Sequence, residues 1–165
     1  MSDTNISDVD TTAYCEALEE FIDESNQIAG TVLATQDGLL VAQALRTRGI
    51  EPDSIAAMSA SMLSLADALA GQAGKAYANK LISEAESSTL VVLHAGALIL
   101  TVIGRPNVNI GLIFTAARRT AQRIDMLVQE MGIINGNEPV SDPEALVAKV
   151  RRDIEYMRIA KGAEL

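Results

Sequence analysis

Few residues in this sequence belong to the types that build a catalytic or metal centre. His94 is the only histidine and Cys15 the only cysteine, and the two lie far apart in the chain. A zinc site takes three or four such ligands, and no serine stands at the centre of a G-x-S-x-G turn. We therefore predict that the protein is not an enzyme and has no catalytic residue, metal or cofactor. We interpret His94 as a hydrogen-bonded histidine of the core or of a turn.

One short string, GQAGKA at residues 71–76, is similar to part of a phosphate-binding loop. That loop has the form G-x-x-x-x-G-K-[S/T], but Leu69 stands in place of its first glycine and Ala76 in place of its last residue. The string also closes a predicted helix, whereas a phosphate cradle opens one. We interpret Gly71 and Gly74 as glycines that end the helix.

Three arginines, Arg118, Arg119 and Arg123, are the remaining candidates for chemistry. A guanidinium group can bind phosphate or carboxylate in a bidentate way, and it can stabilise charge on a nucleotide as an arginine finger. The alternative is a solvated helix face on which these arginines pair with neighbours such as Asp125 or Glu130. The sequence leaves both interpretations open.

The charge distribution excludes two classes of partner. Residues 1–45 hold nine of the 22 acidic residues and none of the 13 basic ones, and tryptophan is absent. Nucleic acids and anionic membranes attract basic patches, and base stacking needs aromatic side chains. We predict no nucleic-acid or membrane partner. The polar, acidic start MSDTNISDVD does not have the form of a secretory signal, and a single cysteine forms no internal disulfide, so we expect a cytoplasmic protein.

The stretch TVLATQDGLLVAQAL places Asp37 and Gly38 between two apolar runs. We predict strands over residues 30–36 and 39–45, joined by these two residues in a type I′ turn, because Asp tolerates positive φ and Gly accepts it freely. Asp37 is therefore predicted to turn the chain and not to act as an acid or base.

Helical periodicity predicts three helices around these strands. The first is amphipathic and runs from a cap at Asp10 or Thr11 to about residue 25; a later one, over about residues 113–131, turns the three arginines outward. The middle helix, over residues 54 to about 73 with Asp53 as its cap, is rich in alanine. Its larger apolar residues alternate at spacings of three and four, as in a coiled-coil seam, so it needs a second surface to bury it.

Three further strands are predicted over residues 79–86, 89–95 and 97–104. The last two are almost entirely apolar, as strands covered on both faces are. The first is half polar, which is typical of an edge strand that another chain can extend. We expect self-association through this edge and the alanine-rich helix, with the following interface residues: Ile55, Met58, Met62, Leu65, Leu69, Lys80, Ile82 and Glu84.

The resulting order is α-β-β-α-β-β-β-α, an α+β domain with a mostly antiparallel five-stranded sheet, followed by one extra helix. We divide the chain into a flexible acidic N-terminus (1–10), the domain (11–131), a loop (132–140) and a C-terminal helical extension (141–165). The extension opens with Ser-Asp-Pro-Glu, which has the form of a capping box.

Three stretches, GTVLATQDGLLVAQAL (30–45), SIAAMSASMLSLADALAGQAG (54–74) and ALILTVIGRPNVNIGLIFTAARRTAQRID (97–125), together resemble the Roadblock dynein light chain family and its prokaryotic members. The resemblance covers about residues 12–131. It implies an α/β sandwich with the alanine-rich helix on one face of the sheet and the other two helices on the opposite face. It also implies a dimer in which edge strands and alanine-rich helices of two copies join.

Functionally, the resemblance implies a non-enzymatic adaptor. Prokaryotic members of this family commonly bind a small Ras-like GTPase, as scaffold or activator, and the alternative is a structural adaptor with no effect on GTP hydrolysis. Our candidates for partner binding are Arg118, Arg119, Arg123, Ser61 and Asp67. The acidic first helix and the basic face of the C-terminal helix remain alternative partner surfaces.

Overall fold

The computed structural model describes residues 6–74 and 77–134, with side chains for residues 11–74 and 77–130. The elements are α1 (Ile6–Asp23), β1 (Ile28–Thr35), β2 (Leu40–Leu45), α2 (Pro52–Gln72), β3 (Leu81–Glu84), β4 (Thr89–Ala95), β5 (Leu98–Gly104) and α3 (Ile110–Ile134). This order confirms the predicted one. The helix α3 continues past the predicted start of the loop at residue 132. The rest of that loop and the predicted extension at 141–165 lie outside the described residues.

The five strands form one sheet in the order β2-β1-β5-β4-β3, and every neighbouring pair is antiparallel. The central strands β1 and β5 are buried along their whole length. Strand β3 pairs only with β4, so its other side is an edge of the sheet, as predicted. It is shorter than the strand predicted over residues 79–86, so Lys80 and Glu86 lie outside it.

Helices cover both faces of the sheet, which confirms the α/β sandwich. Alternate residues of a strand point to opposite faces. Leu33, Leu93 and Leu100 face α1 and α3, and together with residues of those helices they form the larger core. On the other face α2 packs through small residues, and its buried positions are Ala56, Ser59, Ala60 and Leu63.

The β1–β2 hairpin differs from the predicted two-residue turn. The N–H of Gly38 donates to the carbonyl of Thr35 (3.0 Å), and the N–H of Thr35 donates to the carbonyl of Leu39 (2.9 Å). The loop therefore has three residues, and Gly38 has a φ of 85° whereas Asp37 is not among the described residues with positive φ. This is a type I turn followed by a left-handed glycine. The prediction that Asp37 serves the turn holds, and the predicted turn type is wrong.

Two helix starts also differ from the predicted ones. The helix α1 begins at Ile6, before the predicted caps Asp10 and Thr11. The helix α2 begins at Pro52 after an N-cap at Glu51, which makes no side-chain capping bond, so the prediction of Asp53 as the cap is wrong. A proline fits the first turn of a helix because its fixed φ is already helical. The N–H group that proline lacks would also have no partner within the helix at that position.

We predict that Gly38→Ala destabilises the fold more than the matched change Gly49→Ala. Both glycines have positive φ, but a Cβ at Gly38 would lie 2.8 Å from the Cα of Ala57 in α2, whereas one at Gly49 would meet nothing within 4 Å. The left-handed conformation costs either alanine about 1–2 kcal/mol, and overpacking adds about 1–3 kcal/mol at residue 38 alone. Urea unfolding of the two variants measures the difference, and equal losses would contradict the contact between this turn and α2.

Candidate functional site: an apolar helix face beside an open sheet edge

The outward face of α2 carries a row of large apolar side chains, which we call the α2 seam: Met58, Met62, Leu65 and Leu69. Their exposed fractions are 54%, 39%, 72% and 71%. A parallel row of small exposed residues lies beside it, made of Ala57, Ser61, Ser64 and Ala68. Contiguous exposed apolar surface of this kind marks an interaction site. Ile55, an α2 residue that was also predicted for this interface, is partly buried and packs against the small core between α2 and the sheet.

The seam is exposed because the opposite face of the same helix packs against the sheet. Residues one turn apart lie on one side of a helix, and Ala56, Ala60 and Leu63 contact the sheet at this spacing. The four seam residues then point away from it. Methionine side chains are flexible and adapt to irregular surfaces, which suits Met58 and Met62 for contact with another protein.

The open edge of β3 is the second surface predicted for self-association. Ile82 packs toward the core under α3, and the ammonium of Lys80 lies 3.8 Å from the centre of the Phe114 ring. Glu84 at the end of the strand is exposed. At this edge, the backbone N–H and C=O groups and the exposed Lys80 and Glu84 are therefore more accessible to a second chain than the partly buried Ile82.

Asp67 ties three parts of the molecule together. One carboxylate oxygen lies 2.9 Å from Nε2 of His94 in β4, and the other accepts the N–H of Ala78 at 2.8 Å. The ring of Tyr77 meets that of His94 edge-on. The interpretation of His94 as a hydrogen-bonded histidine is confirmed. Our sequence reasoning missed its partner, although Asp67 lies one turn after the buried Leu63 and so on the sheet side of α2.

The three predicted arginines have different surroundings. Arg119 pairs with Glu24 at 3.1 Å, and Arg123 pairs with Glu20. Both acids belong to or directly follow α1, so neither arginine pairs with Asp125 or Glu130, the alternative left open by the sequence. Arg118 instead lines a cavity between α3 and the segment before β3. Ser61, the last candidate for partner binding, is exposed on α2 and donates its hydroxyl to the carbonyl of Ala57.

The hydrogen bond and the positive charge of Arg123 lower the pKa of Glu20. Glu20 in turn raises the pKa of Arg123, through the same hydrogen bond. A carboxyl whose pKa is lowered in the folded state stabilises the fold above its ordinary pKa, and this contribution is lost as the pH falls through the lowered value. The pair is exposed, so it orients the two helices without adding much stability.

A metal site and a phosphate-binding loop are two further kinds of site that the described part of the chain bears on. No group of three or more His, Cys, Asp or Glu residues there could hold a metal ion. Of the phosphate-like string, Gly71 lies in the last turn of α2, which ends at Gln72, so the prediction that Gly71 ends the helix is wrong, whereas Gly74 follows the C-cap Ala73 with a φ of 81°. The string therefore closes a helix, as predicted, and Gly74 takes the left-handed conformation common after helix ends.

Among the described helices, Pro52–Gln72 is long and apolar enough to cross a membrane by length and composition, with a mean hydropathy of 1.3. A core helix of a folded domain also meets this criterion. Only 22% of the apolar window of α2 is buried, through contacts such as those of Ala56, Ala60 and Leu63 with the sheet.

We predict that Arg123→Ala raises the pKa of Glu20 back toward its ordinary value, because it removes the hydrogen bond and the charge that lower this pKa. Arg118→Ala is the control, since that side chain lies one to two turns away on the cavity side of α3. NMR titration of the Glu20 carboxyl carbon measures both variants. An unchanged Glu20 pKa in Arg123→Ala would show that the two side chains are not paired.

Comparisons with known proteins agree with this architecture. The model of the Roadblock/LC7 domain matches residues 15–104. The chain is 26% identical over 103 residues to the uncharacterized protein MJ1340 of Methanocaldococcus jannaschii, covering 62% of this chain and 90% of the relative. Its fold is similar to that of Myxococcus xanthus MglB, with a TM-score of 0.68, 17% identity, and coverage of 79% of this chain and 95% of that chain. It is also similar to an MglB with a tetrameric arrangement, with a TM-score of 0.67, 22% identity, and coverage of 74% and 92%.

The matched region runs from α1 to the end of β5 and spans more than half of the 165 residues. It contains the hairpin, the seam and the sheet edge described above. The resemblance carried by the three sequence stretches is thereby confirmed, and the chain belongs to the Roadblock/LC7 domain family.

Proposed function

We propose that this protein is a non-enzymatic, cytoplasmic, homodimeric regulator or scaffold that binds a Ras-like small GTPase. The observation that carries the proposal is the exposed α2 seam on the helix that packs next to the open edge of β3. Family membership supports a role in binding other proteins. The most prominent features of the described residues are these two exposed surfaces. Those residues do not assemble a catalytic centre.

The α2 seam supports dimer formation through side-by-side helices. Its four large residues stand next to the row of small residues Ala57, Ser61, Ser64 and Ala68. When two such helices meet, the large side chains of one can pack over the small row of the other, which allows close approach. The tetrameric arrangement of an MglB with the same fold is consistent with self-association.

The edge of β3 supports the same dimer by extending the sheet. Antiparallel pairing of two copies of this strand would satisfy backbone groups that are otherwise left to water. It would also hold two α2 helices on the same face of a continuous sheet. We propose that lipid does not cover the seam, because α2 is fixed to its own sheet by Leu63 and by the Asp67–His94 contact.

A pair of α2 helices would offer the GTPase a platform, with the exposed Ser61 on it. A regulator of this kind need not supply a catalytic group, because it can bind the hydrolytic arrangement of the GTPase's own switch segments more tightly than other arrangements. Arg119 and Arg123 are each held by an acid of the α1 region. An arginine finger from either would first have to lose that partner, so we favour action through the platform.

We predict that the double change Met62→Asp and Leu65→Asp converts the dimer to a monomer, since two carboxylates would be buried in an apolar interface. The control is the double change Leu112→Asp and Met126→Asp, which places the same two charges on α3 at side chains that are 68% and 60% exposed. Light scattering and sedimentation measure the masses. A double variant that remains dimeric, or a control that dissociates equally, would contradict the assignment of the seam.

We predict that the dimer, but not the monomeric double variant, forms a complex with a Ras-like GTPase from the same organism. Sedimentation detects the complex, and release of phosphate from GTP measures the effect on hydrolysis. A change of at least about tenfold, a threshold far below the roughly 10³–10⁵-fold effect of activators that supply an arginine finger, would identify a regulator. A complex with no change would identify the alternative, a structural adaptor. Absence of a complex with every such GTPase in either nucleotide state would refute the proposal.

A further inference from the structure

A half-open cavity of about 440 Å³ lies between α3 and the segment that precedes β3. It exists because β3 is short. Leu81, the first residue of β3, pairs with Val92 of β4, so the last three residues of β4 have no strand partner on that side among the described residues. The polar side chains that line the resulting notch are those of Asn79, Lys80, His94, Arg118, Gln122 and Asp125.

Two positive charges face one end of this cavity without a carboxylate partner. Within the described part of the chain, Arg118 forms no ion pair, in contrast to Arg119 and Arg123 on the same helix. Lys80 likewise forms no ion pair there, and its ammonium is held over the Phe114 ring. Arginine and lysine so placed bind an oxyanion, a carboxylate or a phosphate, through charge-assisted hydrogen bonds.

A negative charge faces the other end. Asp125 follows Arg118 by two helical turns, so it lies on the same side of α3 and about 10 Å further along the axis. Its carboxylate lies against Gly96, where a Cβ would come within 2.0 Å of its Oδ1. The glycine thus leaves the space that the carboxylate occupies. Asp125 forms no ion pair among the described residues, so it can accept a hydrogen bond from a ligand.

We propose that this cavity binds a small two-ended ligand, with an oxyanion held by Arg118 and Lys80 and a cationic or other donor group held by Asp125. Its volume lies within the usual range for small-molecule sites, about 300–1,000 Å³. Amino acids with a long basic side chain have this chemistry, because their carboxylate and distal ammonium stand at opposite ends. The proposal does not depend on the proposed GTPase, and the site binds and does not catalyse.

The test uses the full chain and three probes: L-lysine, which has both ends, L-norleucine, which has the same carboxylate and α-ammonium but no distal ammonium, and inorganic phosphate. Amide chemical shifts in NMR locate each probe, and titration gives its affinity. We expect L-lysine to shift the amides of residues 79–80, 94–96 and 118–125 and to bind at least about tenfold more tightly than L-norleucine, the gain of one charge-assisted hydrogen bond.

Matched variants separate the two ends of the site. Arg118→Ala should weaken the binding of L-lysine and L-norleucine alike by about tenfold or more, whereas Arg119→Ala, which alters a side chain paired with Glu24 outside the cavity, should leave both affinities unchanged. Asp125→Asn should reduce the affinity of L-lysine to that of L-norleucine. All three positions are at or near the surface, and circular dichroism confirms that each variant is folded.

Three outcomes would overturn the proposal. The first is that no probe shifts the amides around the cavity. The second is that Arg118→Ala and Arg119→Ala weaken binding equally, which would indicate general attraction to positive charge. The third is that phosphate binds in preference to L-lysine, since a ligand with only an oxyanion makes no use of Asp125.

Discussion

The close approach of α2 to the sheet is the constraint on which the rest of this structure depends. A helix of 21 residues is held there with only Ala56, Ser59, Ala60 and Leu63 buried. Small side chains let the helix backbone lie near the strands, and the glycine turn of the first hairpin fits against Ala57 for the same reason. Because this contact face is narrow, the apolar residues on the rest of the helix cannot reach the sheet. The seam is thus a direct consequence of how the helix is attached.

The opposite face of the sheet is built in another way. There α1 and α3 bury large side chains, among them Leu18, Phe21 and Ile124, in the larger of the cores. Ion pairs at the helix surfaces, Arg119 with Glu24 and Arg123 with Glu20, then set the position of one helix against the other. Most of the hydrophobic stabilisation therefore comes from one face of the sheet, which leaves α2 on the other face available for contacts between proteins.

Local patterns in the sequence predicted the parts of the fold that depend on local physics. The Asp-Gly pair located the hairpin, the alternating spacing of Met62, Leu65 and Leu69 located the seam, and the half-polar composition of residues 79–86 located the edge. The pair did not decide the turn type, because Asp-Gly suits both a two-residue type I′ loop and a three-residue loop that ends in a left-handed glycine. The partner of His94 and those of Arg119 and Arg123 come from elements far away in the chain, and only the packed fold brings them together.

Asp67 links the two surfaces on which the proposed function depends. It follows Leu65 of the seam by two residues, and its two oxygens contact His94 in the sheet and the N–H of Ala78, just before β3. Both contacts require α2 to keep its position over β4. A partner that shifts the end of α2 must therefore break at least one of them, and the segment leading into the sheet edge loses an anchor when it does. Asp67 thus connects the seam and the sheet edge through contacts between residues that lie apart in the sequence.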